Sequence, residues 1–259
     1  MSAALKKTAR FFLPHALKAH SILAGPLRAY RIVTSWHDYP AAILGYTERP
    51  LLNWFAQHVH AGETWLDIGA HYGYTAIALS HYVGAAGRVF AFEPMLTSAG
   101  CIAQMRRLNH FTQLTVLPIA LGDARTLRLE HLPFVRGMLD STLAHASNGN
   151  GQTWHESLLV VALDELWGTI AGADTRVHGI KLDVQGMELD VLRGMLTLLK
   201  TQQPKLVVEV HHGVSRTTLQ QLLYDAGYTR NAIPIEPLPG ETVAQFHDDK
   251  SYAFMIQQR

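Results

Sequence analysis

The chain of 259 residues is 48% hydrophobic and 17% charged, enough apolar material for one large α/β domain and too much for global disorder. Its 22 lysines and arginines against 21 aspartates and glutamates leave a net charge of +1 with no dense basic stripe, so no nucleic-acid partner is expected. A single cysteine, Cys101, excludes an internal disulfide; set among the periodic residues of a helix, it reads as a small buried hydrophobe.

Residues 1–60 read as a helical N-terminal extension broken by Pro14, Pro26, Pro40 and Pro50. Lys6, Lys7, Arg10, Lys18 and Arg28 stand among Phe11, Phe12, Leu13, Leu17, Ile22 and Leu23. That basic amphipathic pattern permits weak peripheral contact with an anionic membrane, but a helical cap on the domain or against a second subunit, as in a homo-oligomer, is favoured. No apolar run approaches the ~20 residues of a membrane span, and Pro14, His15 and Lys18 interrupt what a signal peptide would need. The expected location is cytoplasmic.

Residues 61–259 read as the main domain, where from Thr64 short apolar runs alternate with helical stretches, the pattern of βαβ units and a mostly parallel sheet. The organising stretch is 64–73, a buried strand that stops at Gly69, turns through Gly73 and opens into a helix over 74–83. The start of that helix favours a polar or charged ligand group. Strand 87–94 ends in Glu93, helix 96–108 follows, and 114–123 is a strand and turn ending in Asp123. Residues 124–157 leave the alternation and read as an inserted lid or acceptor-binding segment, with 126–130 alternating like an exposed strand and 147–152 a flexible loop. Strands then fall at 158–162, 179–183 and 205–210, helices at 187–199 and 215–226, and a last antiparallel strand at 252–256 at or near the edge.

Ligands of open α/β sheets bind beyond the carboxyl ends of the strands. There the sequence collects Asp67 and the glycine turn, Glu93, Asp123, Asp183 and Gln185, and Glu209 with His211 and His212. Glu93, about 20 residues past the turn, stands where an acid accepts bonds from ribose hydroxyls. The wording of 65–74, 87–94, 120–123, 180–188 and 207–210 closely resembles the FkbM family of S-adenosylmethionine-dependent methyltransferases.

The resemblance implies a Rossmann-like, doubly wound sheet of about seven mostly parallel strands, the last antiparallel. It also implies methyl transfer, mostly to hydroxyls of sugars, glycan precursors or natural products. By matching position, Asp67, Gly69 and Gly73, with Ala70 and His71 of the same turn, would line the methionine end of S-adenosylmethionine. Glu93 would hold the ribose, Asp123 would lie near the adenine, and Asp183 would adjoin the site. Two positions depart from the family pattern: His71 replaces an asparagine and Gln185 a glutamate.

For chemistry, His211 or His212 could take the acceptor's proton beside Asp183. Alternatively Asp183, Glu209 and a histidine could hold a divalent metal, an option not favoured because histidine suits magnesium poorly. Arg136, Asp140 and Ser141 in the inserted segment, with Gln185, are the candidate contacts to a small-molecule or glycan acceptor. Two other readings compete: a nicotinamide-dependent oxidoreductase, disfavoured by a turn lacking the pyrophosphate-approach glycine, and a catalytically degenerate cofactor-binding scaffold.

Overall fold

The computed structural model describes residues 13–135, 138–139, 154–172 and 174–257. The N-terminal part of these is not continuously helical, which corrects the expectation. Lys18–Ser21 (β1) and Arg31–Thr34 (β2) pair antiparallel, Lys18 opposite Thr34 and Ser21 opposite Arg31. Helices follow only at Pro40–Leu44 (α1) and Arg49–His58 (α2). The cause is local. Ile32, Val33 and Thr34 are consecutive β-branched residues, which prefer a strand. Gly25, at φ +78° and followed by Pro26, turns the chain where a helix would have to continue. The basic cluster over Lys6–Phe12 lies outside the described residues.

The βαβ alternation is as expected. Thr64–Ile68 (β3) leads into Tyr74–Val83 (α3), and Arg88–Phe92 (β4) into Leu96–Leu108 (α4). Leu114–Leu117 (β5) completes one side of the sheet. Ala120–Leu121 (β6), Arg128–Val135 (β7), Met138–Leu139 (β8) and Trp154–Val161 (β9) form a separate four-stranded sheet in the order β6-β9-β7-β8. The irregular segment 124–157 is therefore partly a long antiparallel hairpin, Arg128 opposite Val160 through Phe134 opposite Trp154.

Helix Leu163–Ala171 (α5) and strand Gly179–Leu182 (β10) follow. The single helix expected over 187–199 is two, Glu188–Arg193 (α6) and Leu196–Gln202 (α7). Gly194 between them lies so close to Gly122 that an added Cβ would sit 1.8 Å from its carbonyl oxygen. Asp164 caps the second piece, accepting the Thr197 and Leu198 N–H groups at 2.8 and 2.9 Å. Lys205–Val210 (β11), Arg216–Asp225 (α8), Ile233–Pro234 (β12) and Lys250–Phe254 (β13) end the order.

The main sheet runs β12-β13-β11-β10-β3-β4-β5. Neighbouring pairs from β11 to β5 are parallel, and β13 is antiparallel to both its neighbours. The last strand is thus inserted one place in from the edge. The chain moves outward from β3 through β4 to β5, then restarts on the other side with β10, so the topological switch point falls between β3 and β10.

Side-chain alternation sorts the core into two halves. Leu66, Phe90, Ile180, Leu206 and Val208 pack on one face against α5 to α8. Trp65, Val89, Ala91 and Val207 pack on the other, against α3, α4 and the N-terminal segment through Ile22, Ile32, Val33, Leu51 and Phe55. Asn109 secures that segment: its side-chain oxygen accepts the Arg31 N–H and its amide donates to the Arg31 carbonyl, both at 2.7 Å. One side chain thereby gives β2 the pairing a neighbouring strand would offer.

Gly179 faces Trp65 across the β3–β10 pair, and an added Cβ would lie 2.3 Å from the fully buried indole. Gly179→Ala is expected to destabilise the fold by about 1–3 kcal/mol through overpacking, read as a lower urea midpoint at an unchanged slope.

Candidate functional site

The site begins with the turn between β3 and α3. Gly69 and Gly73 both take φ +82°. A Cβ on Gly69 would stand 1.7 Å from the Asp183 carbonyl oxygen, and one on Gly73 would stand 2.9 Å from Met105 Cε in α4. Glycine is required at both places by conformation and by close approach. The Gly69 and Ala70 N–H groups donate to the Phe92 carbonyl, and Gly73 N–H to Ala70. His71, between them, sits at φ +51°, a left-handed conformation that histidine and asparagine tolerate better than most residues. This explains how histidine can stand in the turn for the asparagine of the resembling sequences. Burial lowers the His71 pKa to about 4, so its ring is neutral near pH 7.

Alternation puts Asp67, Lys181, Asp183 and Glu209 on the same face of the sheet as the N-terminal segment. Lys181 is in register with Asp67 on one side and Val207 on the other. The Lys181 Nζ donates to Asp183 Oδ2 at 3.0 Å and to the Gly69 carbonyl at 3.3 Å, and lies 3.6 Å from Asp67 Oδ1. Burial opposes the lysine's charge, but Asp183 and Asp67 outweigh it and hold its pKa above the usual value. Burial raises Asp67, against Lys181 and the 2.7 Å hydrogen bond from Thr75 Oγ1. Burial also opposes ionisation of Asp183, but the charges of Lys181 and His211 prevail and hold its pKa low.

Glu93 ends β4 as expected, nearly buried. Its two oxygens accept the His71 N–H at 2.7 Å and the Met95 N–H at 2.9 Å, which ties the glycine turn to the next strand. Burial dominates its pKa, raised to about 7.

Beyond Asp183 the fold brings His211 to Glu188 and Gln185. The His211 Nδ1 lies 2.5 Å from Glu188 Oε1, and Nε2 lies 3.0 Å from the Gln185 amide, 3.5 Å from Asp183 Oδ1 and 3.6 Å from Glu209 Oε1. Burial opposes charge on His211, but the Glu188 hydrogen bond and the surrounding carboxylates raise its pKa to about 9. Glu209 is raised to about 7, by burial and then by Asp183. Asp183, Glu209 and His211 offer ligand atoms within 4.8 Å of one another, the geometry of a metal group. Lys181, however, already supplies Asp183 with a positive charge.

Other expected residues stand apart. His212 is exposed and paired with Asp248 at 3.1 Å, away from the His211 cluster. Asp123 is half-exposed and 3.7 Å from Arg128. Arg136, Asp140 and Ser141 lie outside the described residues. The sequence reading left out Lys181, Tyr39 and Glu48 and gave Glu188 only a capping role. A lone lysine inside the apolar run Gly179–Leu182 was the available signal for Lys181. Tyr39 and Glu48 come from the N-terminal segment and, with Gly69, Ala70, His71, Tyr74, Thr75, Lys181 and Asp183, line a small polar pocket at the switch point. Two buried oxygens of these residues, Tyr74 Oη and Asp183 Oδ1, have no hydrogen-bond partner among the described residues.

A doubly wound sheet with a glycine turn and polar pocket at its switch point defines a domain that binds a nucleotide-type cofactor. The methyltransferase FkbM domain matches residues 67–230, and the chain belongs to that family. Among solved structures it is similar to a methyltransferase FkbM from Methylobacillus flagellatus KT (TM-score 0.51, 18% identity). That likeness covers 74% of this chain and 43% of the other, so the chain spans less than half that protein's length. It is also similar to Aeropyrum pernix fibrillarin, solved with S-adenosyl-L-methionine, at TM-score 0.46 and 16% identity over 93% of this chain and 83% of that one. No curated protein matches.

Lys181→Met leaves two buried carboxylates without their counter-charge and is expected to cost about 3–5 kcal/mol of stability; Asp67→Asn in the same chain should return part of it, as denaturant titration would show. A histidine raised on folding contributes stability that is complete below its unfolded pKa and is lost as pH rises through the folded one. Relative to His211→Asn, the wild-type melting temperature should therefore fall between about pH 6.5 and 9.

Proposed function

We propose that the chain is an S-adenosylmethionine-dependent O-methyltransferase acting on a hydroxyl of a sugar, glycan precursor or natural product. The observation that carries this reading is the juxtaposition of the polar pocket at the glycine turn with the His211–Glu188 pair, both contacting Asp183. The pocket residues fit a cationic cofactor: Glu48 and Asp183 line it together with Gly69 and Ala70 of the turn. When bound, S-adenosylmethionine supplies a methyl carbon already activated as a sulfonium, so the chain's own work is positioning and proton removal.

His211 is the proton acceptor in this reading. Glu188, fully buried, accepts from Nδ1 and so orients the ring with Nε2 toward Asp183 and Gln185. With a pKa near 9 the ring is mostly protonated at pH 7, so only a minor fraction can accept the acceptor's proton there. Gln185 presents an amide where the family's glutamate would add another negative charge. Asp67 and Lys181 hold the turn in shape, and Glu93 secures it from the side of β4. His212 plays no part.

Turnover, followed as transfer of a radiolabelled methyl group across a panel of hydroxyl acceptors, should rise about tenfold per pH unit and level off above pH 9. His211→Asn should remove that limb and lower the rate by about 10²–10⁴. A chelator should leave the rate unchanged; loss of activity restored by magnesium or manganese would instead favour the metal reading of Asp183, Glu209 and His211. Calorimetric titration should show binding of S-adenosylhomocysteine and none of NAD, and Glu93→Ala should weaken the first strongly. Tight NAD binding would transfer the site to the oxidoreductase reading.

A further inference from the structure

We propose that Glu48 is the residue that receives the cofactor's α-ammonium group, an assignment that rests on the methyltransferase reading above. Glu48 lies in the N-terminal segment, ahead of the 67–230 family match, and lines the pocket beside Gly69 and Asp183. Three features single it out.

The first is its company. Asp67, the acid expected at the methionine end, has no exposed surface and does not line the pocket; its Oδ2 accepts from Thr75 and its Oδ1 faces the Lys181 ammonium at 3.6 Å. Asp183 lines the pocket but is bonded to Lys181. Glu48 makes no hydrogen bond or ion pair through its side chain with any described residue. It is the acid at this pocket with no direct side-chain partner among the described residues, its charge met only at longer range by Lys181.

The second is its backbone. Glu48 stands at φ +54°, a left-handed conformation that glutamate adopts at a cost. It precedes Arg49 and Pro50 at the start of α2, where glycine or asparagine would serve the turn with less strain. A strained residue whose carboxylate bonds to no described residue points to a role for that carboxylate.

The third is its surroundings. Tyr39 and Tyr74 flank it in the pocket wall, and their rings lie 6.2 Å apart. Such a half-desolvated setting strengthens a hydrogen bond to a charged amine. The pocket thus selects an amine-bearing cation, and the segment outside the family match makes that selection.

The test uses the full chain and two probes, S-adenosylhomocysteine and its analogue lacking the α-amino group. Wild type should bind the first and discriminate against the second. Glu48→Gln should weaken S-adenosylhomocysteine about tenfold to a hundredfold and erase most of the discrimination, while leaving affinity for the analogue unchanged. Glu48→Gly, which suits the left-handed backbone, should lose affinity equally while its melting temperature holds or rises. Unchanged affinity in both variants, or undiminished discrimination against the analogue, would overturn the assignment. So would a Glu48→Gly protein whose melting temperature falls while it binds normally, since that is a purely structural role. If wild type binds neither probe, the methyltransferase reading itself fails and takes the assignment with it.

Discussion

Lys181 is the constraint on which the rest of the site depends. It is an ammonium in the interior of the sheet, held between Asp67 on β3 and Asp183 past the end of β10. An isolated charge there would be several kcal/mol too costly to keep. The two carboxylates and the Gly69 carbonyl make it tolerable, and in doing so they set the spacing of the two strands that meet at the switch point. The glycine turn closes over this group with almost no freedom, since the Gly69 Cα lies hard against the Asp183 carbonyl. The pocket floor is therefore rigid, and its walls can be assembled from elements distant in sequence.

The parallel part of the sheet is legible because its strands are short apolar runs bounded by glycine or proline, and those ending near Asp67, Glu93, Asp183 and Glu209 carry an acid at the mouth. Alternation also places the charges: Asp67 in Thr64–Ile68, Lys181 in Gly179–Leu182, and Lys205 and Glu209 in Lys205–Val210 share one parity and form a charged row on one face. The split between α6 and α7 was not legible, because it depends on Gly194 meeting Gly122, a contact across the fold. The β1–β2 hairpin is hidden in the sequence because the proline spacing suggests broken helices, while the β-branched residues Ile32, Val33 and Thr34 favour a strand. The Glu188–His211 pair was missed in its role for another reason. A carboxylate at the start of a helix has a sufficient local explanation, and only the tertiary structure brings the histidine to it.

Non-glycine residues with left-handed backbones occur at eight described positions, and three of them, Glu48, His71 and Gln185, surround this one site. They come from three separate loops: the approach to α2, the glycine turn, and the loop before α6. Each aims a side chain where a relaxed loop would not: Glu48 and His71 at the pocket, Gln185 at His211. Strain gathered at one mouth of the sheet, with the core strands relaxed beneath it, is the distribution expected where pre-organisation matters more than local stability.

The Asn109 clamp on Arg31 has a consequence for how occupancy is communicated. It fastens the N-terminal hairpin to the end of α4, a helix whose Met105 and Ile102 pack on Gly73 of the turn. The hairpin and the loop carrying Glu48 belong to one chain segment, so both ends of that segment touch the cofactor turn, one directly and one through α4. If Glu48 holds a ligand more tightly when the hairpin is docked, then by reciprocity the bound ligand favours the docked hairpin. Anything that pried β1 and β2 away from Asn109 would loosen the guest in the pocket without touching a single residue that lines it.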